Sequence, residues 1–380
     1  MRLERSNTGV IGRWWWTVDR PTLLALLILI CTGAILVTAA SPAVATRIHV
    51  DKFHFIHRQH VFLLLSLLVI FILSLQSPQN VRRLAVVGFF ISLLLMMALP
   101  FSGMETKGAK RWLSIAGFSI QPSEFLKPCM AVMMAWVFHL REYNPEFPGW
   151  RVALFLYALV VILLLVQPDF GMVVTVSVMW GLQFFLAGLP FFWVMLLPVL
   201  GGAGVFGAYH LFPHVKKRID NFLDPSSGDN YQVEKSLEAF SGGGWFGLGP
   251  GEGKVKLQLP DSHTDFVFAV AGEEFGLIAC VLIVFLFGFI VMRGMLKMSR
   301  ENDFFTMIAV AGLLTQFGIQ AVINMGVAVN LLPAKGMTLP FLSYGGSSLL
   351  AIALGMGMML SFTRRKYGHS PVTRQKITAG

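Results

Sequence analysis

The chain has 380 residues, of which 55% are hydrophobic and 13% are charged, and its mean hydropathy is +0.68. Soluble domains carry about 25% charged residues, so this chain has too little polar material to cover a surface that faces water. The composition therefore excludes a soluble globular protein and indicates a membrane protein built from spans of roughly 20 apolar residues.

A net charge of +10 is compatible with a nucleic-acid partner. The basic residues are distributed among short loops rather than gathered in one segment, so we expect no nucleic-acid site. The three cysteines, Cys31, Cys129 and Cys280, all lie inside apolar runs. Their placement predicts neither a disulfide framework nor a metal-thiolate site.

The chain begins with a polar tail, residues 1–20, in which Trp14, Trp15 and Trp16 are expected to anchor the chain at the membrane interface. The first apolar run is long enough to span, so we interpret it as an anchor rather than a cleaved signal. The pattern predicts an all-α polytopic membrane protein with about ten transmembrane helices and one large extracytoplasmic loop. We expect spans near residues 21–41, 60–77, 84–103, 122–140, 151–168, 170–187, 189–212, 265–292, 304–332 and 345–362.

The loop charges predict the orientation of these spans. Lys and Arg are more frequent in the short loops on the side of the two termini than in those on the other side, which places both termini in the cytoplasm. We therefore expect one transmembrane domain over residues 1–380, with cytoplasmic tails at 1–20 and 363–380 and a large periplasmic loop at 213–264.

The segment 213–276 is the longest interruption of the apolar pattern. It opens with the basic cluster Lys216-Lys217-Arg218 and contains a glycine-rich run over 241–253, which we interpret as a flexible loop with a weak potential for anion binding. Between them, Val233, Leu237 and Phe240 have the spacing of a short amphipathic helix that lies on the outer leaflet or on the bundle.

Asp265 follows Ser262 and His263 at the point where the next apolar run begins. Ser262 and Asp265 match a capping-box pattern, and on the local pattern alone helix capping is the favoured role. A helix N-terminus also stabilises a carboxylate, so the same residue would be ionised and able to accept a proton. His263 is interpreted as a hydrogen-bonding neighbour, because one histidine does not make a metal site.

A second candidate pair lies at the start of the fourth span. Pro122 is well placed to open a helix, and Glu124 and Lys127 then share one face of it. A structural ion pair and a functional site are equally compatible with this spacing. In the functional case Lys127 binds an anionic group such as a pyrophosphate, and Glu124 holds the lysine in place.

Three further candidates lie in short loops. Arg111 has a guanidinium suited to phosphate oxygens, and Trp112 has a ring that can stack on a sugar, although an interface anchor explains most of that loop. Asp169 follows Pro168 and is favoured as a turn residue, with a substrate-facing or metal-facing acid as the alternative. In the span after the long loop, Glu273 and Glu274 favour a buried polar network.

These segments together resemble the SEDS family of bacterial membrane proteins, which act in shape, elongation, division and sporulation. The resemblance runs from the first span to the last, and the phrases at 334–341 and 268–274 are more similar to the division branch than to the elongation branch. The motifs that carry it are Lys110-Arg111-Trp112-Leu113, Gln121-Pro122-Ser123-Glu124, Gln167-Pro168-Asp169, Ser262 to Gly276, and the tight re-entrant turn Leu339 to Ser348, which includes Ser343.

The resemblance implies a multi-span, GT-C-like inverting glycosyltransferase that polymerises lipid II during septal cell-wall synthesis at the inner membrane. The family's essential acid falls on Asp265 and its lysine on Lys127. The implied substrate contacts are completed by Glu124, Arg111, Trp112, Asp169, His263, Ser343 and the Lys216–Arg218 cluster.

The implied partners are the membrane lipid, other division-complex proteins and a class B penicillin-binding protein, the septal transpeptidase FtsI. A divalent cation, Mg²⁺ or Mn²⁺, is the one cofactor that the implied chemistry leaves open. Two alternatives stay open at this point, a lipid II flippase and a non-catalytic scaffold that recruits the transpeptidase.

Overall fold

The structure is a computed structural model that describes residues 9–106, 109–115, 118–188, 201–204, 206–207, 209–210, 215–216, 219–220, 222, 231–333 and 336–365. Within these residues the chain is almost entirely helical, with one small sheet. The helices are α1 Val10–Thr17, α2 Arg20–Arg47, α3 His54–Leu75, α4 Pro78–Ser102, α5 Pro122–Tyr143, α6 Gly149–Val166, α7 Phe170–Leu186, α8 Tyr231–Gly243, α9 Val267–Met298, α10 Phe304–Ala328 and α11 Gly346–Phe362.

The helices agree with the predicted multi-span fold. Six of them (α2, α3, α4, α6, α9 and α10) are long and apolar enough to cross a membrane, and α7 and α11 are shorter apolar helices. Helix α5 occupies the predicted span at 122–140 but carries Glu124 and Lys127. The predicted span at 189–212 lies largely outside the described residues.

The bundle has an apolar outer surface and a tightly packed centre. Outward-facing side chains such as Leu64, Leu68 and Phe285 are exposed, as expected for a surface that lipid covers. Helix α5 is central, because it packs against α4, α6, α7, α10 and α11. Small residues permit this close packing, and a Cβ atom at Gly357 of α11 would lie 2.9 Å from the side chain of Leu73.

The predicted interface anchor at Trp14 is wrong. Trp14 is buried, its indole nitrogen donates a hydrogen bond of 2.8 Å to Ser74 Oγ, and its ring meets the edge of Phe71. Helix α1 is therefore packed onto the bundle through this residue. Trp15 and Trp16 are half-buried and lie under the guanidinium of Arg20.

The short loop between α4 and α5 contains a small antiparallel sheet that the all-α prediction missed. Its strands are β1 Met104–Thr106, β2 Ala109–Ile115 and β3 Phe118–Ile120, in the order β1-β2-β3. The pairing satisfies backbone groups where the chain leaves the bundle. The last strand runs directly into Gln121, whose backbone N–H donates to Ser347 Oγ at the start of α11.

The amphipathic helix predicted in the long loop is present as α8. It lies on the bundle rather than apart from it, because Val233, Ser236 and Ala239 are buried and the helix packs on α9. Ser236 Oγ donates a hydrogen bond of 2.6 Å to the carbonyl oxygen of Ala328 at the end of α10. Leu237, one of the residues that predicted the helix, is 39% exposed.

Helix α9 is broken at Gly276, which has φ 77° and ψ −177°. The glycine-rich run after α8 fills the break. Leu248 N–H donates to Glu273 O, Gly249 N–H donates to Glu274 O, and Leu277 N–H donates to Gly244 O. The prediction of a flexible loop is therefore wrong, since these glycines bond the backbone that the break leaves without helical partners.

The close approach of the glycine-rich run to Gly276 leads to a prediction about stability. A Cβ atom at Gly276 would lie 2.4 Å from Gly247 N, and the left-handed φ is unfavourable for alanine. We expect Gly276→Ala to destabilise the protein by about 2 kcal/mol or more. The thermal midpoint of the purified protein in detergent, followed by intrinsic fluorescence, measures this change.

Gly288→Ala is the matched control, because Gly288 lies in the same helix and a Cβ atom there would meet nothing within 4 Å. Its thermal midpoint should be unchanged or slightly raised, since alanine favours a helix over glycine by about 1 kcal/mol. Equal midpoints for the two variants would show that the break does not depend on glycine.

Candidate active site

Asp265 lies in a tight turn just before α9. The backbone N–H groups of Thr264, Asp265 and Phe266 all donate to the carbonyl oxygen of Asp261, which has a left-handed φ of 54°. Helix α9 begins at Val267, and its N-cap residue is Phe266. The capping-box prediction is therefore wrong, because Asp265 precedes the cap and the cap makes no side-chain hydrogen bond.

Three consecutive carbonyl groups of this turn are each held by a residue from elsewhere in the fold. The carbonyl oxygen of His263 accepts from Tyr344 N–H at 2.8 Å. The carbonyl of Thr264 accepts from Ser343 Oγ at 2.5 Å, and the carbonyl of Asp265 accepts from Asn324 Nδ2 at 2.8 Å. The backbone around Asp265 is therefore fixed by the re-entrant turn and by α10.

The Asp265 carboxylate lies against the segment that follows α10. A Cβ atom at Gly336 would be 3.0 Å from Asp265 Oδ2, so a side chain there would require the carboxylate to move by a few tenths of an ångström. Asn324 Nδ2 also donates to the carbonyl oxygen of Met337 at 2.6 Å. Asp265 itself is half-buried.

Glu124 and Lys127 form the ion pair that their spacing predicted. Lys127 Nζ lies 2.9 Å from Glu124 Oε2 and donates to Gln320 Oε1, also at 2.9 Å. Lys127 is fully buried and Glu124 is 5% exposed. A buried ammonium needs such partners, because an unpaired charge there is costly.

One face of α10 connects this ion pair with Asp265. Gln316, Gln320 and Asn324 follow each other at four-residue spacing, and all three are buried. Gln320 receives the hydrogen bond from Lys127 and donates to Thr338 O at 3.0 Å, while Asn324 donates to Met337 and Asp265. The structure therefore brings the acid and the lysine, which are far apart in the sequence, to one short segment, 337–338.

Arg111 and Asp169 come together in a second cluster. Arg111 donates through Nε to the carbonyl oxygen of Gln167 at 3.0 Å and through a terminal nitrogen to that of Pro168 at 2.5 Å. Its guanidinium also lies 3.6 Å from Asp169 Oδ2. Asp169 accepts from Met172 N–H as the N-cap of α7, which confirms its predicted turn role, and Trp112 is half-buried.

His263 packs in an aromatic cluster with Phe55 and Tyr344, whose ring centroids lie 4.9 and 5.1 Å from its own. Burial lowers the pKa of His263 to about 4, against the opposing charge of Asp261, so the ring is neutral at pH 7. Ser343 Oγ accepts from Leu339 N–H and donates to Thr264 O, and the Ser343 carbonyl accepts from Gln59 Nε2. The substrate contacts expected for His263 and Ser343 stay predictions.

The basic cluster of the long loop is only partly described. Lys216 Nζ lies 5.7 Å from the ring centroid of Tyr209, and the hydroxyl of that tyrosine donates to Asp220. Lys217 and Arg218 lie outside the described residues. The role expected for this cluster therefore stays a prediction.

Glu273 and Glu274 form the buried polar network that was predicted, but their partner is a lysine that sequence reasoning missed. Glu273 accepts hydrogen bonds from the backbone N–H groups of Val255 and Lys256, at 2.7 and 2.9 Å. Lys256 Nζ forms an ion pair with Glu274 and donates to the carbonyl oxygen of Ala39. The network joins the long loop to α2 and α9.

Asn324 and Gln320 were also missed. Their spacing with Gln316, at i, i+4 and i+8 in an apolar span, was the signal that could have found them, because polar side chains inside a span are costly and face the bundle interior. Within the described ranges, no group of three or more His, Cys, Asp or Glu side chains is placed to hold a metal ion. The divalent cation stays a prediction, and we derive no step through one.

Comparisons with known proteins show the family of this chain. Residues 20–368 match the model of the FtsW, RodA and SpoVE family, described as cell cycle proteins. The chain is 44% identical over 365 residues to a probable peptidoglycan glycosyltransferase FtsW of Caulobacter vibrioides, covering 96% of this chain and 94% of that protein. It is 38% identical to the protein of the same name from Saccharophagus degradans, covering 88% and 89% of the two chains.

Solved structures show a similar fold. A chain from a peptidoglycan synthase complex that coordinates polymerization and crosslinking matches with a TM-score of 0.76 and 28% identity, covering 92% of this chain and 98% of that one. The rod shape determining protein RodA of Thermus thermophilus matches with a TM-score of 0.68 and 27% identity, covering 93% and 99%. With a family model matched over most of its length and a relative 44% identical, the chain belongs to the FtsW, RodA and SpoVE family of cell cycle proteins.

Proposed function

We propose that the chain polymerises lipid II into glycan strands by inverting transfer, with Asp265 as the general base. The chain is an enzyme of the peptidoglycan glycosyltransferase type, since relatives with that name align with most of its length. The observation that carries the catalytic assignment is a half-buried carboxylate on a backbone turn that three outside hydrogen bonds hold in place.

The proposed step uses this carboxylate directly. The 4-hydroxyl oxygen of the acceptor's N-acetylglucosamine forms a bond to the anomeric carbon of the donor's N-acetylmuramic acid. The bond from that carbon to the pyrophosphate oxygen breaks, and its electron pair leaves with undecaprenyl pyrophosphate. Asp265 takes the proton of the attacking hydroxyl, which balances the transfer.

The candidates for stabilising the leaving pyrophosphate are Lys127, Arg111 and the Lys216–Arg218 cluster, and the structure describes the surroundings of Lys127 and Arg111 most fully. Lys127 is connected to the Asp265 region through Gln320 and segment 337–338, but it is fully buried beside Glu124. Arg111 is more accessible, with its side chain 30% exposed. A guanidinium with free N–H groups can bind phosphate oxygens in bidentate fashion, so Arg111 is the better candidate for a first contact.

An apolar groove supports a substrate with a polyprenyl chain. The groove has a volume of about 250 Å³ and lies between α4 and α5, where Val87, Ile91 and Phe125 contribute to its walls. It reaches Pro122, the first residue of α5, and Glu124 lies in the first turn of the same helix. A lipid tail in this groove would bring its head group toward Glu124 at the start of α5.

The proposed partner is a class B penicillin-binding protein of the septal FtsI type. The solved synthase complex that couples polymerization with crosslinking supports a transpeptidase partner of this kind. We also propose that both termini are cytoplasmic, because the short loops on the side of the termini are richer in Lys and Arg. We propose that the enzyme acts at the division septum, because relatives that are 44% and 38% identical to this chain are named FtsW.

Replacement of Asp265 tests the base assignment. We expect purified Asp265→Asn to lose lipid II polymerisation by a factor of about 100 or more while its thermal midpoint stays close to that of the wild type. Asp51→Asn is the control, because Asp51 is exposed at the same end of the bundle. An active Asp265→Asn enzyme would refute the base role, and transfer of labelled lipid II across vesicles without glycan formation would favour a flippase.

Gly336→Ala tests the contact between the carboxylate and the segment after α10. The new methyl group would lie 3.0 Å from Asp265 Oδ2 and would push the carboxylate aside, so we expect the rate of polymerisation to fall by about 10-fold. Gly242→Ala is the control, because a Cβ atom there would meet nothing within 4 Å. Equal rates for both variants would show that the carboxylate does not need its position against Gly336.

A further inference from the structure

Asn324 occupies an unusual position inside an apolar helix. It is 1% exposed, and its amide nitrogen Nδ2 donates two hydrogen bonds, to the carbonyl oxygens of Asp265 and Met337. Its amide oxygen Oδ1 is buried and has no hydrogen-bond partner among the residues that the structure describes. A polar group left unsatisfied in this way is costly, so the two donated bonds must contribute something that an apolar side chain cannot.

The two bonds join two backbone segments that meet at the Asp265 carboxylate. One holds the backbone of Asp265 itself, and the other holds Met337, the residue after Gly336, against which the carboxylate lies. The amide group of Asn324 therefore fixes the distance between the turn that carries Asp265 and the Gly336–Met337 segment, against which the carboxylate lies. Gln320, one turn earlier on α10, holds the adjacent Thr338 in the same way and connects it with Lys127.

We propose that Asn324 is a positioning residue, which holds the Asp265 turn and the Gly336–Met337 segment together so that the Asp265 carboxylate keeps its catalytic orientation. This inference rests on the proposed function, because it takes Asp265 as the base. Asn324 does not touch substrate, since it is buried behind the two backbone segments that it joins.

The expected kinetic effect follows from this geometry. Without the two N–H donors, the carbonyl groups of Asp265 and Met337 lose these hydrogen bonds. The Asp265 turn and the Gly336–Met337 segment can then shift relative to each other. A displacement of about 1 Å at a catalytic group lowers the rate by about 100-fold. Because Asn324 makes no contact with lipid II, kcat should fall by this factor while KM for lipid II changes by less than about twofold.

Two substitutions test the proposal in the purified full-length enzyme. Asn324→Leu keeps the approximate volume and removes the amide, and Asn324→Asp keeps the shape and replaces the two donors by a carboxylate. Gln316→Leu is the matched control, because Gln316 is a buried amide eight residues earlier on the same face of α10 with an unpartnered Oε1. Polymerisation is measured over a range of lipid II concentrations, together with each thermal midpoint, and Asp265→Asn is measured beside them.

We expect both Asn324 variants to lose about 100-fold in kcat at unchanged KM, with thermal midpoints no lower than that of Gln316→Leu, which keeps its activity. If Asn324→Leu does not fold, Asn324→Asp carries the test. A wild-type kcat in either folded variant beside an inactive Asp265→Asn would overturn the positioning role alone. A fully active Asp265→Asn would overturn the base assignment, and the positioning role with it. A kcat loss that Gln316→Leu shares would assign the effect to helix packing and would also overturn the proposal.

Discussion

The candidate site depends on hydrogen bonds to backbone carbonyl groups that take no part in regular helical hydrogen bonding. Around Asp265 the chain is a turn rather than a helix, so the carbonyls of residues 263–265 need partners from elsewhere. Tyr344, Ser343 and Asn324 supply them. The same bonds that satisfy the backbone also hold the carboxylate in place, so the stability of this region and the geometry of its proposed chemistry have one origin.

Irregular backbone at membrane depth is tolerated only where protein surrounds it. Two irregular segments of this fold are surrounded by protein in this way. The break at Gly276 is bonded to the glycine-rich run of the long loop, and the re-entrant turn that ends near Ser343 is bonded to the Asp265 turn. Both irregular segments lie next to buried charges, Lys256 with Glu274 in one case and Lys127 with Glu124 in the other. Each of the two buried charged pairs therefore lies beside an irregular segment, between apolar helices.

Hydropathy was sufficient to predict the long apolar helices of the described residues, because apolar runs of span length have one stable form in a membrane. The Glu124–Lys127 ion pair was also predictable, since it depends on spacing within one helix. The bonds to Asn324, Lys256 and Trp14 were not, because each joins residues far apart in the sequence. The capping role of Asp265 failed for a related reason: tertiary bonds, not local pattern, decide where helix α9 begins.

Chemical rescue tests the central claim most directly. Replacement of Asp265 by alanine removes the carboxylate and leaves a space beside Gly336, where the carboxylate now lies. If Asp265 accepts the proton of the attacking hydroxyl, the purified Asp265→Ala enzyme should be inactive and added formate should restore lipid II polymerisation in a saturable manner. Activity of Asp265→Ala without formate, equal to that of the wild type, would contradict the account.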